Sequence, residues 1–131
     1  MASVVRGRPY RRRRGRVIIG RRPLSYTVYS GTVANAGNVA TDATIEVAGP
    51  TAGSGFFVAN DTAAGVVRVN FAVPTGQTLV VDMATRTATI AGIDQGAVFD
   101  LANSSWWRIV AGNNSIRASV PATVKHRNAY Q

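Results

Sequence analysis

The stretch Ser105-Trp106-Trp107-Arg108-Ile109-Val110-Ala111-Gly112-Asn113-Asn114-Ser115-Ile116-Arg117 holds both tryptophans of the chain, a run of turn residues and the start of an alternating strand. It reads as a β-hairpin. Trp106 to Val110 form the expected first arm and Ala111 to Asn114 the turn. Ser115 to Val120 form the expected second arm, where Ile116, Ala118 and Val120 alternate with Arg117 and Ser119. Gly and Asn supply the positive φ angles that such turns require. Neighbouring residues on a strand point to opposite faces, so one tryptophan is expected to anchor a core while the other looks outward.

Outward from this stretch, the two-residue period persists. Towards the C-terminus a last strand is expected from about Ala122 to Arg127, with Val124 and His126 on one face and Lys125 and Arg127 on the other. Upstream, Ala43, Ile45 and Val47 alternate with Asp42, Thr44 and Glu46. Val67, Val69, Phe71 and Val73 alternate with Arg68, Asn70 and Ala72, and Pro74-Thr75-Gly76 closes that run. Leu79 to Met83 and Thr87 to Ile90 flank Ala84-Thr85-Arg86 as a hairpin. Leu24 to Tyr29 and Phe56 to Val58 add two further strands, Ala97 to Phe99 is a short apolar piece, and no segment carries a helical period. Short strands with turn signals every 8–12 residues or so predict an all-β sandwich, galectin-like or jelly-roll-like in class.

The 131 residues suffice for one domain, and the absence of cysteine rules out disulfides and thiolate metal sites. No apolar run approaches the roughly 20 residues that cross a bilayer, and no hydrophobic stretch of the secretory kind follows the charged N-terminus. The net charge of +9 is unevenly placed. Arg6, Arg8, Arg11, Arg12, Arg13, Arg14, Arg16, Arg21 and Arg22 all precede Pro23, with no acid among them. The rest of the chain balances five arginines and Lys125 against six acids. The expected organisation is therefore an arginine-rich arm, residues 1–22, on a neutral β-domain, residues 23–131. Val17-Ile18-Ile19 is the apolar cluster within the arm, able to add a strand to a neighbour or to pack against its own domain.

Little in the sequence suits catalysis, and no enzyme activity and no cofactor are expected. His126 is the sole imidazole, in a strand where packing is its expected role. Asp42 and Glu46, four residues apart on a strand, stand about 13 Å apart at ~3.3 Å per residue, too far to share a proton. Asp82 precedes a turn and is expected to bond its backbone amides. No metal-ligand spacing and no glycine-rich phosphate motif occurs, and the sequons at Asn60, Asn103 and Asn113 carry no signal without a secretory route. The arm is the feature that composition marks as functional. Its guanidinium forks can grip the phosphates of nucleic acid or the carboxylates of an acidic partner, and charge does not choose between the two.

Val80 to Gly92, Ser105 with Trp107, Gly112-Asn113 before Ile116-Arg117, and Arg127-Asn128-Ala129-Tyr130 occur in an order that resembles the C-terminal domain of siphophage distal-tail and minor tail proteins. The resemblance implies a galectin-like sandwich in a virion, synthesised in the bacterial cytoplasm, that joins an oligomeric ring or array at the tail tip. The ring-forming N-terminal domain of a full distal-tail protein has no counterpart, and the arm stands in its place. Expected partners are other virion proteins, contacted through the nine arm arginines and through Trp106 or Trp107, and no membrane. A coat or head-decoration protein with a nucleic-acid- or shell-binding arm is the alternative. Carbohydrate binding through an exposed tryptophan is a third reading.

Overall fold

A computed structural model of the chain describes residues 17–20 and 23–131. Ten strands follow one another: β1 Ile18–Ile19, β2 Leu24–Asn35, β3 Thr44–Ala48, β4 Phe56–Asn60, β5 Gly65–Val69, β6 Thr78–Asp82, β7 Thr87–Ile90, β8 Ile93–Asp94, β9 Gly112–His126 and β10 Ala129–Tyr130. Two single 3-10 turns, Gly96–Val98 and Leu101–Asn103, are the helical content of the described residues. The all-β class read from the sequence is the class observed.

The long strands β2 and β9 pair antiparallel along their whole lengths and form the spine of the fold. On the free side of β9, its Ile116–Ala118 segment takes up β4, which carries β5. Its Thr123–Lys125 segment takes up β3, which carries β6, β7 and β8 in turn. The spine thus belongs to two wings, and the sheet curls so that their inner faces share one apolar cluster. Ile45, Val47, Leu79 and Val81 come from one wing, and Val58, Val67, Val69 and Ile116 from the other or its half of the spine.

The bend in the spine has a visible cause. Val28 pairs with Ala122 and Ser30 with Arg117, so Ala118 to Pro121 stand against Tyr29 alone. An irregularity of this kind bends both strands and increases their twist. It also explains how Pro121 fits inside a 15-residue strand, since it falls where no ladder bond is asked of its nitrogen. β9 thus carries three more residues than β2 across the irregularity, and the inward set of β2 changes from Leu24, Tyr26 and Val28 to Val33 and Asn35 as it is passed. A register shift of any odd number of residues exchanges the two faces of a strand. The sequence reading is corrected here: the expected arm Ser115–Val120 and the expected last strand from Ala122 are one strand, and its even-numbered residues from Asn114 to His126 are all buried.

A second correction concerns the expected tryptophan hairpin. Residues 104–111 form no strand and do not pair with the start of β9. They cross between the wings, touching β5 through a Val66–Ser105 bridge and the approach to β3 through a Thr41–Ile109 bridge. An irregular segment packed this way must find partners for those of its backbone polar groups that water does not reach. Three asparagines, each at most 1% exposed, supply them. Asn60 donates from Nδ2 to the Arg108 carbonyl at 3.1 Å. Asn114 accepts from the Val110 amide and donates to the Val110 carbonyl, both at 2.9 Å. Asn35 donates to the Ile109 carbonyl at 3.4 Å, and Thr41 exchanges both backbone bonds with Ile109. Asn60 also donates from Nδ2 to the Asn114 Oδ1 at 2.9 Å.

Asn114→Ala strands the Val110 amide and carbonyl together with the Val33 carbonyl, which Asn114 also reaches. A buried polar group without a partner costs about 1–3 kcal/mol. The variant is expected to lose at least about 3 kcal/mol in urea unfolding, whereas Asn113→Ala at the exposed neighbouring position should fall within about 0.5 kcal/mol of the parent.

Candidate functional site

Trp107 lies inside the fold at 3% exposure, and its indole Nε1 donates to the Val58 carbonyl of β4 at 3.0 Å. Space for it depends on Gly65, where a Cβ would stand 2.7 Å from the Trp107 Cβ and 3.0 Å from the Ser105 carbonyl oxygen. Trp107 is therefore corrected from a partner-contacting residue to a core residue, because its ring is enclosed and its one polar atom already satisfied. Trp106 points the other way and is half-buried. Its ring meets Phe99 edge-on at 4.9 Å, and the Arg86 guanidinium lies over it at 5.8 Å. The expected division of labour within the pair is seen, although an irregular segment and not a strand imposes it.

On the outer face of the β4–β5 wing, Phe57 lies between two guanidinium groups, Arg68 at 5.5 Å and Arg117 at 5.3 Å from the ring centre. Arg117 also grips Asp61 through two bonds, Nε to Oδ2 at 3.1 Å and Nη2 to Oδ1 at 3.0 Å. That contact holds the Asp61 carboxyl below its ordinary range and raises the Arg117 guanidinium. The other wing carries Arg108–Asp42 at 3.1 Å and Lys125–Glu46 at 2.8 Å. Asp42 and Glu46 thus each serve a cation. Asp82 accepts from the Ala84 and Thr85 amides, the turn role expected of it.

The Val17–Ile19 cluster pairs within its own chain. Ile18 faces Tyr130 and Ile19 faces Ala129 in the two-stranded ribbon β1–β10, extended by a bond from the Gly20 amide to the Asn128 carbonyl. The loop after β2 fastens this ribbon to the body. The Asn35 carboxamide oxygen accepts from the Ala129 amide, the Val39 amide donates to the Ala129 carbonyl, and Asn38 and Gln131 bond each other twice. Arg6, Arg8, Arg11, Arg12, Arg13, Arg14, Arg16, Arg21 and Arg22 lie outside the described residues. The ribbon marks where the arm joins the body.

His126 sits beneath this end of the molecule at 4% exposure, stacked on Tyr26 with ring centres 5.7 Å apart and planes 9° from parallel. Neither ring nitrogen completes a hydrogen bond, although the Arg127 and Ala34 backbones approach the imidazole. Packing is its role here. Among the described residues no three histidine, cysteine or carboxylate side chains converge on a possible metal position, and no helix is long and apolar enough to cross a membrane.

Residues 36–130 match the family of siphovirus-type tail components, C-terminal domain. The chain belongs to that family. It is a structural protein of a phage tail and so a component of the virion. The resemblance carried by Asp82, Gly92, Trp107 and the Arg127–Tyr130 ending falls within the matched residues. No curated protein sequence matches the chain. Among solved structures, the Dit protein (gp 19.1) of phage SPP1 shares the fold with a TM-score of 0.75 at 19% identity, over 88% of this chain and 49% of that one. That protein is described as a paradigm of the hub adsorption apparatus in phages infecting Gram-positive hosts. This tail component spans about half its length.

Sequence reasoning did not single out Asn35, Asn60 and Asn114. A signal was present, since each continues an inward-facing set: Asn60 after Phe56 and Val58, Asn35 after Val33, Asn114 before Ile116. An asparagine on the core side of a strand end has to be bonding backbone.

Burial pushes the His126 imidazole below its ordinary value of 6.5, with the Arg127 and Ala34 backbones offsetting part of the effect. As pH falls the unfolded chain takes up this proton first, so stability is complete above about pH 6.5 and declines below it until the folded pKa is passed. Urea midpoints measured from pH 7.5 to pH 5 should fall in the parent and fall less in His126→Phe; parallel curves would exclude His126 as the source.

Proposed function

We propose that this chain is a tail-tip subunit that docks to neighbouring virion proteins through its basic arm and the end of the body from which that arm springs. The observation that carries the reading is the apolar surface at that end. Val17, Ile18 and Ile19 are 46%, 59% and 47% exposed, and Tyr130 beside them is 41% exposed. Single exposed apolar residues are ordinary, but four on one two-stranded ribbon form a patch of the kind that marks an interaction site. Isolated two-stranded ribbons are marginal in water, and a further strand completes them. Among the described residues β1 and β10 pair only with each other.

Arm and patch divide the task. The patch supplies apolar area to bury at the contact. The arginines supply orientation and speed of encounter, which is the usual contribution of charge at an interface. Trp106, backed by Phe99 and Arg86 and only partly buried, is a second contact point, since tryptophan recurs among the residues that dominate binding. The β-domain of residues 23–131 with β1 attached is, on this reading, the unit that a neighbour receives, and the arm of residues 1–22 is its tether. Membership of a tail family favours a protein partner for the arm over packaged nucleic acid.

Deletion of residues 2–16, which leaves β1 in place, should give a chain with the parent's unfolding midpoint that is absent from assembled particles. Antibody labelling of intact particles should place the parent at the tail end in a small symmetric number of copies. Normal incorporation of the deleted chain, or label spread over the head, would remove the proposal.

A further inference from the structure

Beside the exposed ribbon lies a cleft of about 540 Å³. Val17, Ile19 and Pro23 give it an apolar lining, and Arg108, Lys125 and Arg127 give it cations. Asp42 is the one carboxylate in that lining, so three cations face one acid. Arg108 is matched by Asp42, and Lys125 by Glu46. Arg127 is exposed, and among the described residues no acid pairs with it.

Building on the docking role proposed above, we infer that this cleft receives an extended, acidic segment of a neighbouring tail protein, with carboxylates and apolar residues in alternation. An extended chain sends successive side chains to opposite sides, so one set can lie on Val17 and Ile19 while the other reaches Arg127. Its backbone can add to β1, whose second edge has no strand partner among the described residues. Arginine receives carboxylate with two parallel bonds, which gives such a segment a defined register. The lining presents no exposed aromatic ring on which bases could stack: its one ring, His126, is buried against Tyr26. The chain's own arm is excluded as the occupant by charge, because residues 1–41 contain no acid.

The chain has no cysteine, so a single introduced thiol reports location without interference. Thr44→Cys places one in the cleft lining, and Thr75→Cys places one at the exposed turn beyond the other end of β3 and β6. The probe is an alternating Val-Glu octapeptide with an activated terminal disulfide, incubated with the full-length chain. Capture at Thr44→Cys should exceed capture at Thr75→Cys at least tenfold. It should drop at least tenfold with a Val-Gln octapeptide, or when Arg127→Glu is added. Equal capture at the two thiols, indifference to Arg127→Glu, equal capture of the neutral peptide, or equal capture of a (dT)8 oligonucleotide bearing the same activated disulfide at Thr44→Cys would each overturn the inference. Particle labelling tests the docking role separately. Label at the tail combined with failed capture removes the cleft inference and leaves that role standing.

Discussion

Everything in this fold depends on satisfying the backbone of the irregular segment that carries the two tryptophans. A strand would have met the requirement through its ladder, but residues 104–111 pass between wings and have no ladder. Side-chain amides replace it. A carboxamide presents an acceptor and two donors, so it can imitate a peptide group wherever a strand end stops short. Asn35, Asn60 and Asn114 come from three different strands, β2, β4 and β9, and converge on Arg108, Ile109 and Val110. Aspartate in these places would bury a charge and lose the donors; leucine would leave the carbonyls bare. With the segment fixed, Trp107 is held against Val58 and Trp106 is turned outward.

The alternation of apolar and polar residues made the strand class legible, since Ile45 and Val47, Val67 and Val69, and Leu79 and Val81 face the core as their spacing requires. The β6–β7 hairpin was legible too, because a short turn leaves the chain few alternatives. What the sequence hid was long-range. The passage of β9 through Pro121 is invisible locally, since proline there reads as a terminator. Only the four residues set against Tyr29 on another strand make a place for it. The tryptophan hairpin failed for a related reason. The chain does bend at Ala111 and Gly112 takes a positive φ, but Asn114 spends its side chain on Val110, and β9 pairs instead with a strand some eighty residues earlier.

The interaction surface was partly legible. Charge asymmetry separated a basic arm from a neutral body, and period two predicted that one tryptophan would face out. Which one did so required the structure. So did the pairing of Ile18 and Ile19 with the C-terminus, which places the two ends of the described chain side by side and gathers the cleft cations from residues 108, 125 and 127. The ion pairs Arg108–Asp42, Lys125–Glu46 and Arg117–Asp61 are exposed and add little to stability. Their effect is to neutralise the body, so that excess positive charge is concentrated in the residues ahead of Pro23.

The spine formed by β2 and β9 has a consequence for how the molecule is made. During synthesis β2 emerges early, yet the strand it needs is the last long one in the chain. Before β9 leaves the ribosome, β4–β5 and β3–β6–β7–β8 share no strand, and only isolated bridges such as Val66–Ser105, Val69–Phe99 and Thr41–Ile109 can link them. The nascent chain must carry two half-cores largely exposed until β9 appears, and its pairing then closes them into one core. Proteins dominated by such distant pairings fold slowly and are vulnerable to association while they wait. A body of balanced charge offers little repulsion during that interval. The nine arginines that precede Pro23 supply it.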